Sequence, residues 1–239
     1  MDITKVTRPV RRLLKLKYCG AVIVAAGSAS RMGGVDKIMA PLGEIPVIVK
    51  TVEAFQSCDA IREIVVVTRP ELIVPVMSLI SSFDKVTAVI AGGKDRAASV
   101  AAGLGALSRK VKLAAIHDGA RPLVGWQLID RVVRAANSYG AAAPAIPVKD
   151  TVKVVKGGVV SYTPERKELY AVQTPQVFDI ALLRGALKKA ADDNAQITDD
   201  CSAVERMGMS VKIVEGDERN LKITTPEDLK IFRALLKMR

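Results

Sequence analysis

Three short stretches of this 239-residue chain mix small residues with charged ones in a pattern suited to anion chemistry. The first is AAGSASRMGGVDK, Ala25 to Lys37, directly behind the apolar run CGAVIV. A loop with little side-chain bulk lets backbone N–H groups approach a ligand closely, and Arg31 and Lys37 mark that ligand as an anion. The stretch has neither the Gly-Lys-Ser/Thr ending of a P-loop nor the GxGxxG of a dinucleotide fingerprint. The second is GGKDRAASV, Gly92 to Val100, where two glycines permit close approach and Arg96 and Ser99 offer ligand bonds. The same residues also fit a tight turn leading into a helix. The third is HDGARP, His117 to Pro122. An acid at the carboxyl end of a strand is placed to hold Mg2+ against phosphate oxygens, with Arg121 orienting it. An Asp–Arg pair closing a turn is the equal alternative. His117, the single histidine, reads as packed or supporting rather than catalytic.

Weaker polar islands follow: Asp150-Thr151, Arg166, the QTPQ of residues 173–176, Thr198-Asp199-Asp200 and Asn220-Leu221-Lys222. Thr198-Asp199-Asp200 also reads as a helix cap. Arg166 and Lys222 also read as solvated surface charge, the usual fate of such residues.

These stretches need a frame. Gly20–Ala25, Ile64–Thr68, Thr87–Ala91 and Leu113–His117 are continuous apolar runs, as expected of parallel strands covered on both faces. Pro46–Gln56, Pro70–Ser82, Arg96–Ser108 and Trp126–Tyr139 are helix candidates between and after them. The alternation predicts an α/β fold with a mostly parallel sheet and right-handed crossovers. In such sheets ligands bind beyond the carboxyl ends of the strands, where all three charged stretches fall. Residues 148–172 break the pattern. Thr151–Val155 and Val159–Thr163 flank Lys156-Gly157-Gly158, a hairpin signal. A lone hairpin is marginal in water, so it is expected to pair with something, and a partner subunit is one candidate. Helices are expected again at Asp179–Asn194 and Asp199–Met207, and a strand at Ser210–Val214. Thr225 is the expected N-cap of a last helix, with Pro226 in its first position. The reading is one domain, 19–239, behind a basic extension, 1–18.

Composition narrows the classes. Aromatic residues make up only 4%, so aliphatic side chains must fill the core. No apolar run is long enough for a membrane helix, and no secretory signal is expected. Cys19, Cys58 and Cys201 follow no metal-ligand spacing, and an odd number of cysteines suits reduced thiols in the cytoplasm. The net charge of +11 admits nucleic acid as a partner. Much of the excess lies near the two ends, without aromatic residues to stack bases, and specific nucleic-acid binding is not expected.

Taken in order, AAGSASRM with Lys37, GGKDRAASV, HDGARP, KDTVK, QTPQVF, TDD and NLKITTPEDL resemble the 2-C-methyl-D-erythritol 4-phosphate cytidylyltransferase family, from about Cys19 to Leu236. The resemblance implies a Rossmann-like nucleotidyltransferase domain with a mostly parallel sheet and a protruding β-arm, about residues 148–172, and a homodimer formed through that arm. It implies transfer from CTP, with Mg2+, to the phosphate of a sugar-alcohol phosphate, releasing pyrophosphate. By the family's motifs Arg31 and Lys37 stabilise the transition state, and Ala25, Ala26, Gly27, Gly93, Ser99 and Gly119 line the CTP site. Asp118 meets the metal. Thr151 and Arg166 on the arm, with Thr198 and Lys222 on the body, hold the acceptor, and Arg166 and Lys222 also count among the catalytic cations. A cytidylyltransferase acting on ribitol 5-phosphate is the near alternative, sharing the CTP half. Ala29 departs from a common glycine. Arg31 and Lys37 also stand one residue closer than in many members, which alters the angle from which Lys37 reaches the phosphates.

Overall fold

The computed structural model describes residues 16–27 and 36–237. The expectations for Ala29, Arg31 and the first fifteen residues lie outside the described residues. Runs of Val, Ile and Ala cannot remain half-exposed cheaply, and here they enter strands. In chain order the elements are β1 (Cys19–Val24), β2 (Pro41–Leu42), β3 (Ile45–Pro46), α1 (Val47–Gln56), β4 (Ile61–Thr68), α2 (Ile73–Ile80), β5 (Val86–Ala91), α3 (Arg96–Ala106) and β6 (Leu113–Asp118). There follow α4 (Trp126–Tyr139), β7 (Ala141–Pro147), β8 (Val154–Lys156), β9 (Val159–Tyr162), β10 (Tyr170–Val172), β11 (Gln176–Asp179), α5 (Ile180–Asp192), α6 (Asp200–Glu205), β12 (Lys212–Glu215) and α7 (Pro226–Lys237).

The main sheet runs β7-β11-β6-β1-β4-β5, with β10 and β12 also paired to β7. β1 is parallel to both β4 and β6, and β4 is parallel to β5. β11 runs antiparallel between β6 and β7. Ala142 pairs with Val177 of β11 and Lys212 of β12, while Ala145 pairs with Val172 of β10 and Glu215 of β12. β10 and β11 are therefore successive segments along one side of β7, and β12 lies along the other. The strands β7, β10 and β11 are additions to the elements expected from sequence.

Helices cover both faces. On one, Val52 and Phe55 of α1, Ile129 and Val133 of α4 and Phe232 of α7 pack in one cluster. On the other, Val100 and Leu104 of α3, Leu183 of α5 and Val204 of α6 form a second. Each fully buried aliphatic or aromatic side chain contributes about 1.5–3 kcal/mol. α3 lies very close to the sheet because Gly103 has no side chain. A Cβ there would stand 2.3 Å from Val22 Cγ1, so Gly103→Ala would push the helix off β1. That contact seats the second half of α3 on the middle of β1. β8 and β9 form a separate two-stranded sheet whose Val155, Val159, Val160 and Tyr162 are exposed. α7 starts as expected at Pro226, with Asp228 accepting the N–H groups of Thr224 and Thr225 at 2.7 and 2.9 Å. Among the described residues no helix is long and apolar enough to cross a membrane.

Candidate active site

The carboxyl ends of β1 and β6, the β5–α3 loop, the turn at Lys37-Ile38 and the segment of Lys222 surround one cavity of about 420 Å³. β1 leaves the sheet through Ala25-Ala26-Gly27, and Ala25 N–H bonds to Val67 O at 2.7 Å. β6 ends on Asp118. Gly119 N–H donates to Val24 O at 2.8 Å, tying the two strand ends together. Gly119 itself faces this seam, where a Cβ would lie 3.0 Å from Ala25 Cβ, and it does not line the cavity. Ala25, Ala26, Gly27, Lys37, Gly93, Ser99, Asp118 and Lys222 do line it. Thr151, Arg166 and Thr198 are exposed and are not among its walls.

The β5–α3 loop is stapled from within. Ser99 Oγ accepts from Gly93 N–H at 3.1 Å and donates to Asp95 O at 2.8 Å. Asp95 caps α3 by accepting from Ala98 N–H at 2.8 Å. Ser99 thus shapes the loop, leaving one lone pair for a ligand. The stretch is thus a tight turn into α3 and also part of the cavity wall.

Asp118 is the charge centre. Lys222 Nζ stands 2.8 Å from Oδ2, Arg121 Nε 3.6 Å from Oδ2 and Arg96 Nε 3.6 Å from Oδ1. Burial opposes the anion, but these three cations outweigh it and hold the carboxyl well below the usual range. Lys222 reaches this position because Ile223 N–H bonds to Ala120 O at 2.8 Å and Arg121 donates to Asn220 O at 2.7 Å. Arg96 also contacts Asp200, its NH2 2.8 Å from Oδ2. Asp200 is fully buried, and burial raises its pKa against the pull of Arg96. Asp200 escaped sequence reading, which treated Thr198-Asp199-Asp200 as acceptor contact or cap. Asp199 does cap α6, accepting from Ser202 N–H at 2.9 Å.

The QTPQ stretch is scaffold. Gln176 Oε1 accepts from Asp200 N–H at 3.1 Å, and Gln173 Nε2 donates to Asp217 O at 2.8 Å. Asn220 Nδ2 donates to Thr174 O at 2.8 Å. These bonds fix the segments carrying Asp200 and Lys222. Nothing local in the sequence pairs them.

His117 is fully buried against the Phe55 ring. Arg121 O can only accept, so Nε2 carries the proton that it receives at 3.3 Å. Nδ1 then accepts from the Thr174 hydroxyl at 3.0 Å, and that hydroxyl accepts from Asp118 N–H at 3.1 Å. Burial pushes the imidazole down to about 3. It is neutral at physiological pH and supports the Asp118 backbone, as the sequence reading expected. The sign follows: a depressed folded pKa gives stability that is present above pH 6.5 and lost as pH falls towards 3. Urea unfolding at pH 7 and pH 5 should show the wild type losing about 2 kcal/mol more than His117→Gln over that interval. Equal losses in the two proteins would overturn the assignment.

Among the described residues no group of three or more acidic, histidine or cysteine side chains could hold a metal alone. A hard cation bound through one carboxylate and a ligand's phosphate oxygens needs only Asp118.

The comparisons with known proteins agree with this geometry. Residues 19–238 match the family model of 2-C-methyl-D-erythritol 4-phosphate cytidylyltransferase, IspD. The chain is 45% identical to the enzyme of that name from Desulforamulus reducens, covering 92% of this chain and 96% of the relative. The corresponding figures for Caldanaerobacter subterraneus are 42%, 91% and 98%. The crystal structure of 4-diphosphocytidyl-2C-methyl-D-erythritol synthase from Anaerococcus prevotii superposes with a TM-score of 0.84 at 30% identity, covering 92% of this chain and 96% of that one. A whole-chain family match and relatives of that identity place the protein plainly: it belongs to the 2-C-methyl-D-erythritol 4-phosphate cytidylyltransferase family.

Proposed function

We propose that the protein joins CTP and 2-C-methyl-D-erythritol 4-phosphate, giving 4-diphosphocytidyl-2-C-methyl-D-erythritol and pyrophosphate. The observation that carries this reading is the charge of the cavity: Lys37, Lys94, Arg96 and Lys222 against Asp95 and Asp118. An oxygen of the acceptor's phosphate forms a bond to the α-phosphorus. The bond from that phosphorus to the bridging oxygen breaks, and pyrophosphate leaves with the electron pair. The nucleophile is already an anion near neutral pH, since a phosphomonoester's second pKa is ~6. It needs no general base. That suits a cavity wall with no histidine or cysteine among its residues, in a protein whose histidine is neutral and buried and whose cysteine thiols are pushed up by burial.

The barrier is then repulsion between two polyanions. Lys37 and Lys222 oppose it from the cavity wall, and Arg31 is assigned the same task. Ala25, Ala26, Gly27 and Gly93 leave room for the nucleotide, with Ser99 and Gly119 holding the loops behind them. Mg2+ held by Asp118 and the phosphates would neutralise further charge and favour in-line geometry. Thr198 reads as an acceptor contact from the body. Thr151 and Arg166 sit on the exposed arm, so an arm from a second copy is the simplest way to bring them to a cavity. Covering the exposed valines and Tyr162 of β8 and β9 favours the same dimer. Three buried free cysteines suit a cytoplasmic enzyme. The family match favours methylerythritol phosphate over ribitol 5-phosphate as acceptor, and it supports no nucleic-acid role.

The test is pyrophosphate release from CTP and Mg2+ with methylerythritol phosphate or ribitol 5-phosphate supplied separately. Release with the first alone is expected. Release with ribitol 5-phosphate alone would replace the acceptor, and no release with either would overturn the reaction.

A further inference from the structure

Lys37 needs a fixed backbone. Its four-carbon stem is flexible, so the ammonium is only as well placed as the turn that carries it. On its carboxyl side the turn is anchored. Ile38 and Ala40 are buried, and their carbonyls accept from Ile48 and Val47 N–H, each at 3.0 Å. On its amino side the anchor is Asp36. Asp36 Oδ1 accepts from Ile38 N–H at 2.9 Å and Met39 N–H at 3.4 Å, which closes the turn around Lys37. Asp36 Oδ2 is in contact with the NH2 of Arg69. Arg69 directly follows β4, the strand whose Val67 carbonyl also holds Ala25. Glu71 accepts from Arg69 Nε at 2.8 Å and steadies the guanidinium from the other side. The Asp36 and Arg69 side chains are about one-quarter exposed, at 23% and 24%. They are therefore shielded more than an ordinary surface pair.

We propose that Asp36 and Arg69 are positioning residues for Lys37, clamping its turn to the end of β4 so that the ammonium meets the phosphates in the reacting geometry. The pair touches neither substrate nor reacting atoms in this assignment. The inference rests on the role given to Lys37 above. An ångström of misplacement in such a site costs up to ~10²-fold in rate. A pair that merely ties down a loop would alter stability and leave turnover unchanged.

The experiment measures kcat, the KM for CTP and urea stability for Asp36→Asn, Arg69→Met, Arg69→Lys and Lys37→Ala, and for Arg69→Met combined with Lys37→Ala. Asparagine keeps the carbonyl that caps the turn and loses only the ion pair, so this variant should fold even if Arg69→Met does not. Asp36→Asn and Arg69→Met should each lower kcat by about 10- to 100-fold with little change in KM. Arg69→Lys, which keeps the charge, should recover part of the loss. In the Lys37→Ala background Arg69→Met should cost less than about twofold more, because a clamp acts only through the residue it holds. A kcat within about twofold of wild type in Asp36→Asn, or a full loss retained without Lys37, would sink the clamp. If Lys37→Ala itself kept full activity, the assigned role of Lys37 would fail and the clamp with it. Loss in Lys37→Ala but none in Asp36→Asn removes the clamp alone.

Discussion

Lys37→Ala and Arg31→Ala should each lower kcat by ~10²–10³, the cost of removing one aimed group that stabilises developing charge. The reaction is difficult at one point, the meeting of two polyanions. A phosphate dianion must approach a triphosphate, and no group in the described site activates it further. Only compensating charge lowers the barrier. That charge matters most when the phosphorus is shared between entering and leaving oxygens, so the loss should fall on kcat more than on the KM for CTP. Folding should be nearly untouched. Lys37 lies in a turn outside both hydrophobic clusters, and substitutions away from a core usually change stability by about 0.5 kcal/mol or less. Single-turnover measurement with saturating CTP, together with urea unfolding, separates these effects. Full activity in either variant would mean that its cation does not face the reacting phosphates.

The parts of this site that sequence made legible are those set by local pattern. Continuous aliphatic runs announced β1, β4, β5 and β6, and the interval between polar and apolar residues placed α4 at Trp126–Tyr139. Glycine and charge at the ends of those runs then located the cavity, because a parallel sheet puts its loops there. Other parts depend on contacts between distant segments. β7 is written in small residues, AAAPAIP, that carry little strand signal. β10 and β11 are short and separated by Gln173-Thr174-Pro175, so the chain there reads as loop until β7 and β6 are beside it. Gln176 with Asp200, Gln173 with Asp217, Arg96 with Asp200 and Asp36 with Arg69 are meetings that no window of sequence contains. The residues that touch the ligand space were therefore easier to find than those that hold them in place. Arg96 changes standing for the same reason. Its stretch reads both as a ligand contact and as a turn into a helix; in the fold the guanidinium stands between the carboxylates of Asp118 and Asp200.

Asp118→Asn should lower kcat by about 10³ and destabilise the fold, and the two effects have separable causes. As a counter-ion, Asp118 compensates Lys222, Arg96 and Arg121. Asparagine has nearly the same shape and no charge, so it leaves these cations facing one another. Arg96 keeps Asp200, but Arg121 is largely buried, its side chain only 13% exposed. Breaking a fully buried ion pair costs about 3–5 kcal/mol. Here about 2 kcal/mol is expected, because Lys222, with its side chain 39% exposed, can turn towards water and is partly screened already. The metal-ligand role proposed for Asp118 has a different signature. Its loss should raise the Mg2+ concentration for half-maximal rate by about 10- to 100-fold, with partial recovery at high Mg2+. Lys222→Met added to Asp118→Asn should restore part of the stability, since it removes a stranded cation, and should leave the shifted Mg2+ requirement in place. A stability loss with an unchanged Mg2+ requirement would make Asp118 a counter-ion only. A shifted requirement at unchanged stability would instead mean that the surrounding cations relax freely into solvent, and that the charge balance around Asp118 does not hold the fold.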